Sequence, residues 1–339
     1  MTALVTGGAG YIGGKLAESL LARGETVKVF DLRVGAATHL AEMGADLRQG
    51  DILDREAVRT ALKGCDRLYH TAALFEMWQA DKRAYYRVNV DGTVNVLEMA
   101  LEMDVRRVIH TSSAVTIGER RDQLGDEETV HRGYFLSDYE RSKHLGEQVA
   151  LEMCDRGLPL VCVNPTSVYG PDQTRHMTGA LLRFLNGRLP AMVNTRLNFA
   201  YVDDVVEGHL LAMERGEVGQ RYILGGENAS LGRFLSLAAE IAGMARKPRA
   251  ISPWLLSLTA RVLGMISATT GRRLWVSPDE ARTALHSFVF DNQKARGKLG
   301  IEFTPLREGL KRTVDWLREE RLIGKHSHSS QLLAPGGKA

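Results

Sequence analysis

Two positions in this chain pair a tyrosine with a lysine four residues later: Tyr11 with Lys15, and Tyr139 with Lys143. Residues four apart share one face of a helix, so in a helical context the ammonium lies beside the phenol. A free phenol ionises near pH ~10. A neighbouring cation stabilises the phenolate and brings the group toward use as a general acid or base. Tyr139 and Lys143 fall inside a helical pattern, whereas Tyr11 and Lys15 fall at the glycine loop and the start of its helix, so the chemistry is assigned to the second pair. A hydroxyl able to hold a substrate oxygen as charge develops comes from Thr111-Ser112-Ser113-Ala114. Ser113 is the expected donor, with Ser112 as backbone support or as the donor itself.

A second constellation lies at the start of the chain. Gly7, Gly10 and Gly13 have the spacing Gly-x-x-Gly-x-x-Gly directly after an apolar run. Glycine permits the tight turn, close approach of the backbone to a pyrophosphate, and close helix–strand packing. The helix that follows then offers free amides and the positive end of its dipole to the phosphates. The pattern predicts a dinucleotide held by Gly7, Gly10, Tyr11, Ile12 and Gly13. Asp31, at the end of the next strand, would accept from the ribose hydroxyls and repel a 2′-phosphate, which favours NAD. Arg33 could accept that phosphate and leaves NADP open.

These residues need a scaffold that brings them together. Short apolar runs at 3–6, 26–30, 46–49, 67–71, 107–111 and 160–164 read as strands. Several are apolar on successive residues, as in strands buried on both faces of a parallel sheet. Helical patterns at 11–23, 55–62, 82–103 and 138–156 alternate with them. Asp54 is the expected N-cap of the second helix, and Gly24 and Gly157 stand where helix C-termini need a left-handed residue. Such alternation specifies an α/β fold with a Rossmann-type doubly wound parallel sheet. Beyond residue 164, helices are expected at 178–186, 203–214, 231–242, 254–264, 278–284 and 306–321, with short strands at 222–224 and 287–290. This divides the chain into a dinucleotide domain (1–165, with returning segments near 200–225), a smaller substrate lobe (166–323) and a Ser-, Gly- and His-rich tail (324–339) expected to be disordered. No internal repeat is present.

The glycine loop, Ser113, and Tyr139-x-x-x-Lys143, in this order, resemble the extended short-chain dehydrogenase/reductase family, the NAD-dependent epimerase/dehydratase superfamily. Gly50-Asp51-Ile52, His70-Thr71-Ala72-Ala73, Asn89-Val90-Asp91-Gly92-Thr93, Asn164-Pro165 and Tyr201-Val202-Asp203-Asp204 extend the resemblance over all but the tail. It implies that Asp51 and Ile52 flank the adenine and that Ala72 and Ala73 line the cofactor's path. It further implies that Thr111, Tyr139, Lys143, Pro165, Ser167 and Val168 lie against the rest of the cofactor, and that Asn89 joins Ser113, Tyr139 and Lys143 through a proton relay. Bland readings stand beside these: Asn89 as a backbone cap, Asp203 as a helix start, Ala72 as tight packing. Homodimerisation through 82–103 and 138–156 is typical of the family.

Local departures narrow the reaction. Sugar-nucleotide 4,6-dehydratases carry an Asp-Glu pair after the catalytic hydroxyl; here Ala114-Val115 follow Ser113. Sugar-nucleotide epimerases usually place a phosphate-gripping arginine where this chain has Leu197, with Arg196 next door. Loss of that grip argues for a substrate without a nucleotide. The 111–115 segment and the apolar 253–266 stretch resemble dihydroflavonol reductases and 3β-hydroxysteroid dehydrogenases. Segments 74–78, 184–188 and 222–227 resemble hopanoid-associated sugar epimerases, a label with which Leu197 disagrees. The expectation is a ketone or aldehyde reductase, or the reverse secondary alcohol dehydrogenase, acting on a small, largely apolar substrate. Phe75, Trp78 and Trp254 are candidate pocket walls, with core packing as the bland reading, and Arg196 is a candidate substrate contact. The alternatives are a nucleotide-sugar epimerase with tightly held NAD and a non-catalytic NAD-binding regulator. The intact Ser113, Tyr139 and Lys143 set speaks against the regulator.

Composition excludes several other classes. The 339 residues carry a net charge of +3 with no basic block, so nothing points to nucleic acid. Cys65, Cys154 and Cys162 are sparse and odd in number, which fits a reduced, cytoplasmic protein rather than a disulfide framework. His326 and His328 sit in the polar tail and read as solvated, so no metal is expected. The first residues already read as a buried strand, leaving no room for a signal peptide. The 253–266 stretch is too short to span a bilayer and carries Arg261. It reads as an amphipathic helix over a substrate pocket, with loose membrane-surface contact as the alternative.

Overall fold

The computed structural model describes residues 1–75, 79–256, 258 and 278–324. Along the first half run β1 (Thr2–Thr6), α1 (Tyr11–Ala22), β2 (Thr26–Asp31), α2 (Thr38–Glu42), β3 (Asp46–Gln49), α3 (Arg55–Leu62), β4 (Arg67–His70), α4 (Arg83–Tyr86), α5 (Gly92–Glu102), β5 (Arg107–Thr111), β6 (Leu124–Gly125), α6 (Asp138–Asp155) and β7 (Leu160–Pro165). The second half contributes β8 (Ser167–Tyr169), α7 (His176–Leu185), β9 (Arg196–Tyr201), α8 (Val202–Arg215), β10 (Arg221–Leu224), β11 (Glu227–Ser230), α9 (Leu231–Ile241), α10 (Pro278–Leu285), β12 (Val289–Phe290) and α11 (Leu306–Glu319).

The main sheet has the order β3-β2-β1-β4-β5-β7-β10, and every pairing in it is parallel. This is the expected α/β fold. Alternate strand residues enter two cores: Ala3, Val5 and Ile109 face the α1 and α8 side, while Leu4 and Val108 face the α3, α5 and α6 side. The chain steps from the edge strand β3 to β4 beside β1, so the strand order reverses at the carboxyl ends of β1 and β4. In open α/β sheets that switch point is where ligands bind. A second sheet, β11-β9-β8, packs with α7, α9 and α11 around a third core that includes Phe199, Phe234 and Leu310.

The local reasons match the sequence chemistry. The Asp54 side chain accepts from the Glu56 and Ala57 amides at the start of α3. Gly24 and Gly157 adopt φ of +75° and +99° just past α1 and α6. The single helix expected over 82–103 is instead α4, a five-residue π turn at Arg87–Asp91, and α5. π turns of this kind insert one residue into a helix and recur at functional sites. The short elements α2, β6, β8, β9 and β11 carried no expectation. Trp78, most of the 254–264 helix and the tail beyond Gly324 lie outside the described residues.

The start of α6, which carries Tyr139, is fixed unusually firmly. Ser137 caps it by accepting from the Glu140 amide at 3.2 Å. The Glu140 carboxylate accepts in turn from the Leu136 amide and from the Arg132 guanidinium. Both members of this ion pair are buried, and burial pushes the Glu140 carboxyl up to about 7 against the pull of Arg132. Breaking a buried pair strands the remaining charge. Arg132→Met is therefore expected to lower unfolding free energy by about 3–5 kcal/mol in urea titration; a loss below ~1 kcal/mol would show that the pair does not hold the helix start.

Candidate active site

Tyr139 lies in the first turn of α6 and Lys143 one turn later, both buried. Desolvation holds the Tyr139 phenol well above its ordinary range, and a hydrogen bond with the Ser113 side chain opposes it. Ser113 stands just past the carboxyl end of β5 and opens the short 3-10 turn Ala114–Ile117. The Lys143 ammonium donates to the Thr111 carbonyl at 2.9 Å. Burial brings its pKa down to about 8, opposed first by Glu147 and then by Cys162. The structure thus gathers Ser113, Tyr139 and Lys143 at one sheet edge. Ser112 is buried there too, but its hydroxyl has no partner and does not meet the phenol. The Thr111 hydroxyl is spent on the His209 ring at 2.9 Å, leaving its carbonyl for Lys143.

Asn89 sits in the π turn, and its amide is fully engaged. It accepts from the Leu74 amide at 2.7 Å and donates to the Leu74 carbonyl at 3.2 Å and to Ser142 Oγ at 2.9 Å. Ser142 donates to the Tyr139 carbonyl at 2.8 Å. Through these bonds the Asn89 side chain fastens the 71–75 segment to α6. The Asn89 carbonyl accepts from Thr93 Oγ1 at 2.9 Å, so that hydroxyl must accept from His70 Nε2 at 3.2 Å. His70 Nδ1 then accepts from Thr6 Oγ1 at 2.7 Å, and Thr6 Oγ1 from the Ala72 amide at 3.4 Å. One unbroken chain of bonds links β1 and the Ala72 wall to the catalytic helix. Burial, with Lys143 second, brings the His70 pKa down to about 3, so this ring stays neutral.

The glycine loop behaves as its spacing demands. A Cβ on Gly13 would lie 2.3 Å from the Gly7 carbonyl oxygen, and one on Gly7, where φ is +71°, would lie 2.6 Å from Ala72 Cα. Gly10 starts α1 with no side-chain cap, leaving that helix N-terminus to a ligand. The Asp31 carboxylate faces the loop: one oxygen accepts from the Ala9 amide at 3.1 Å, the other from the Arg33 amide at 3.0 Å. Each keeps a lone pair for ribose hydroxyls. This donor set fits a dinucleotide. Arg33 is exposed beside it. Asp51 accepts from the Leu53 amide, and Ile52 is buried against Gly92. Ala72 is half-buried and Ala73 exposed; Pro165 is buried at the end of β7, and Ser167 and Val168 are half-buried on β8.

The other Tyr-x-x-x-Lys copy serves packing. Tyr11 donates to the Pro171 carbonyl at 2.7 Å, and Lys15 pairs with Asp172. Together they pin α1 to the loop after β8, and Ile12 packs against the core of that side.

The substrate side is apolar near the phenol. The Phe75 ring meets Tyr139 edge-on at 5.0 Å and His176 at 4.5 Å. Leu197 packs on a cluster of Ala114, Ile117, Leu136, Phe288 and Phe290, with Val115 beside it. Arg196 is exposed at the start of β9, where its carbonyl accepts from the Phe288 amide. Trp254, a candidate pocket wall, is 66% exposed. His70, His176 and Glu147 are site residues that sequence reasoning missed. His70 stands in the quoted His70-Thr71-Ala72-Ala73 segment, and Glu147 repeats the four-residue spacing of Tyr139 and Lys143; His176 offers no such signal. Among the described residues no group of three or more His, Cys, Asp and Glu could hold a metal, and no helix is long and apolar enough to cross a membrane.

Comparison with known proteins points the same way. The sequence profile of the NAD dependent epimerase/dehydratase family matches residues 3–225. The chain is 34% identical over 333 residues to the sterol demethylase protein B of Methylococcus capsulatus, covering 95% of this chain and 100% of that one. It is 30% identical over 315 residues to the 4-hydroxy-2-methyl-3-oxo-4-farnesyl-3,4-dihydroquinoline-1-oxide ketoreductase of Stigmatella aurantiaca, covering 88% and 91%. The crystal structure of gox2253 superposes with a TM-score of 0.84 at 33% identity, covering 95% of this chain and 99% of that one.

Gly13→Ala tests the loop. The added methyl meets backbone and the Thr71 hydroxyl, so the loop must open. Calorimetric titration is expected to show dinucleotide affinity at least ~10-fold weaker; unchanged affinity would mean that the loop is not the phosphate site.

Proposed function

Because the chain belongs to the NAD dependent epimerase/dehydratase family, the extended short-chain dehydrogenases, and is an NAD-dependent oxidoreductase, we propose that it reduces a ketone or aldehyde, or oxidises the matching secondary alcohol, on a small, largely apolar substrate. One observation carries this reading: the Tyr139 ring meets the apolar Phe75 ring edge-on, and Leu197 packs into a separate apolar cluster with Ala114, which follows Ser113. Where a nucleotide-sugar enzyme needs a phosphate grip, this chain packs Leu197 into hydrocarbon. Dehydration lacks its acid and base as well, since Ala114 and Val115 hold those positions. Relatives named for a sterol and for a farnesyl-bearing ketone support the same class.

The nicotinamide, when bound, supplies or accepts the hydride. Gly7, Gly10, Tyr11, Ile12 and Gly13 would hold its pyrophosphate through main-chain amides, and Asp31 would hold the adenosine ribose, favouring NAD over NADP. Ser113 orients the substrate oxygen and stabilises charge developing there. Tyr139 delivers the proton to that oxygen. Burial keeps the phenol protonated across neutral pH, so the donor is loaded. The Lys143 cation and the Ser113 hydroxyl then stabilise the phenolate that remains. Asn89 and Ser142 fix the turn of helix from which Tyr139 projects.

Three variants test this by following NAD(P)H absorbance with a panel of apolar ketones and aldehydes. Tyr139→Phe is expected to lower kcat about 10²–10⁴-fold, whereas Tyr11→Phe, the other tyrosine of the repeated pattern, stays within a few-fold of the parent. Asp31→Ala is expected to shift the NADP-to-NAD preference at least ~10-fold toward NADP. Conversion of a UDP-sugar to its epimer without net cofactor oxidation would sink the reductase reading.

A further inference from the structure

We propose that Glu147 is the buried counter-charge that keeps Lys143 in its ammonium form, a positioning residue for the proton chemistry at Tyr139. The inference rests on the reading of Lys143 as the cation that serves Tyr139.

The geometry begins on one helix. Tyr139, Lys143 and Glu147 follow at four-residue spacing on α6 and therefore share a face. Lys143 is 4% exposed and Glu147 2%. The bond that Lys143 makes to the Thr111 carbonyl offers a dipole, not a charge. An ammonium taken out of water with only dipoles around it tends to shed its proton.

The groups on the elements around Lys143 differ in charge. On β4 and β5, His70 and His110 are buried and held neutral, with Lys143 itself opposing their protonation. On β7, the Cys162 thiol is driven well above its ordinary value by burial and stays uncharged. On α6, the Tyr139 phenol is pushed up likewise. On β10, Arg221 is a cation of the same sign. Glu147, one turn further along the same buried helix face, is the carboxylate that favours the Lys143 ammonium.

The fold fixes this carboxylate through donors: Asn164 Nδ2 donates to it, and Arg221 Nη1 donates at 3.1 Å. The single Thr116 hydroxyl proton lies within reach of either Glu147, at 2.9 Å, or the Ser113 carbonyl, at 2.8 Å, and Asn164 also donates to that carbonyl at 3.2 Å. One cage therefore holds the counter-charge of Lys143 and the backbone of Ser113.

The deciding experiment is the pH profile of ketone reduction by Glu147→Gln, with Glu147→Asp as the conservative variant, joined to ¹⁵N NMR of the Lys143 side chain. Reduction needs Lys143 charged, so activity falls as pH rises through its folded pKa. Removing the counter-charge lowers that pKa, and the alkaline limb of Glu147→Gln is expected about one pH unit or more lower, with most activity kept on the acid side; Glu147→Asp returns most of the shift. A uniform loss of rate at every pH, with the limb unmoved, would overturn the proposal and leave Glu147 a packing residue. If Glu147→Gln does not fold, the parent protein decides: Lys143 should resonate as an ammonium at pH 7, and a neutral amine there overturns the proposal. The resonance reads protonation without turnover. Should Tyr139→Phe remain active, the role of Tyr139 fails separately from the charge state of Lys143.

Discussion

A lysine and a tyrosine buried side by side are costly to keep usable, and much of this structure answers that cost. Water no longer stabilises either charged form, so the ammonium of Lys143 and the phenolate of Tyr139 each depend on groups the fold supplies. The Thr111 carbonyl, the Ser113 hydroxyl and the Glu147 carboxylate meet that need from β5, the turn after it, and the next turn of α6. The neutral His70 and His110 matter by contrast: a second cation beneath Lys143 would undo the arrangement.

The same economy governs the link between cofactor loop and catalytic helix. The bond chain from Ala72 through Thr6, His70 and Thr93 reaches Asn89, whose amide continues to Ser142 and the Tyr139 carbonyl. A shift of the loop that carries Gly7 is therefore felt at the base of Tyr139. On the other face, Tyr11 and Lys15 tie α1 to the loop after β8, so the glycine helix is braced from both sides. Tyr139 and the glycine loop are thus held in one frame, the rigidity that a reaction between two ligands would require.

The fold was readable because strands buried on both faces leave continuous apolar runs, as at 160–163, and because Asp54, Gly24 and Gly157 do what their chemistry dictates at helix ends. The π turn at Asn89 was not readable: one inserted residue does not disturb an apolar periodicity. Nor were β8, β9 and β11, short strands whose pairing is settled by tertiary contact. At the site, spacing alone set Tyr139 apart from Tyr11 only through its helical context, and the structure shows why the context matters: the Tyr11 hydroxyl is occupied by Pro171. Glu147 repeats the spacing of Tyr139 and Lys143, but that signal gains meaning only once its burial is seen, since a carboxylate on a helix is ordinarily solvated.

The most direct test of the central claim is label transfer from nicotinamide cofactor deuterated at the reactive carbon, read by mass spectrometry of the product. The account predicts deuterium on the carbinol carbon of an apolar ketone product with the parent enzyme, and none above background with Tyr139→Phe. A ketone that gains no label from the parent enzyme, while a nucleotide sugar is epimerised with the label returned to the cofactor, would contradict it.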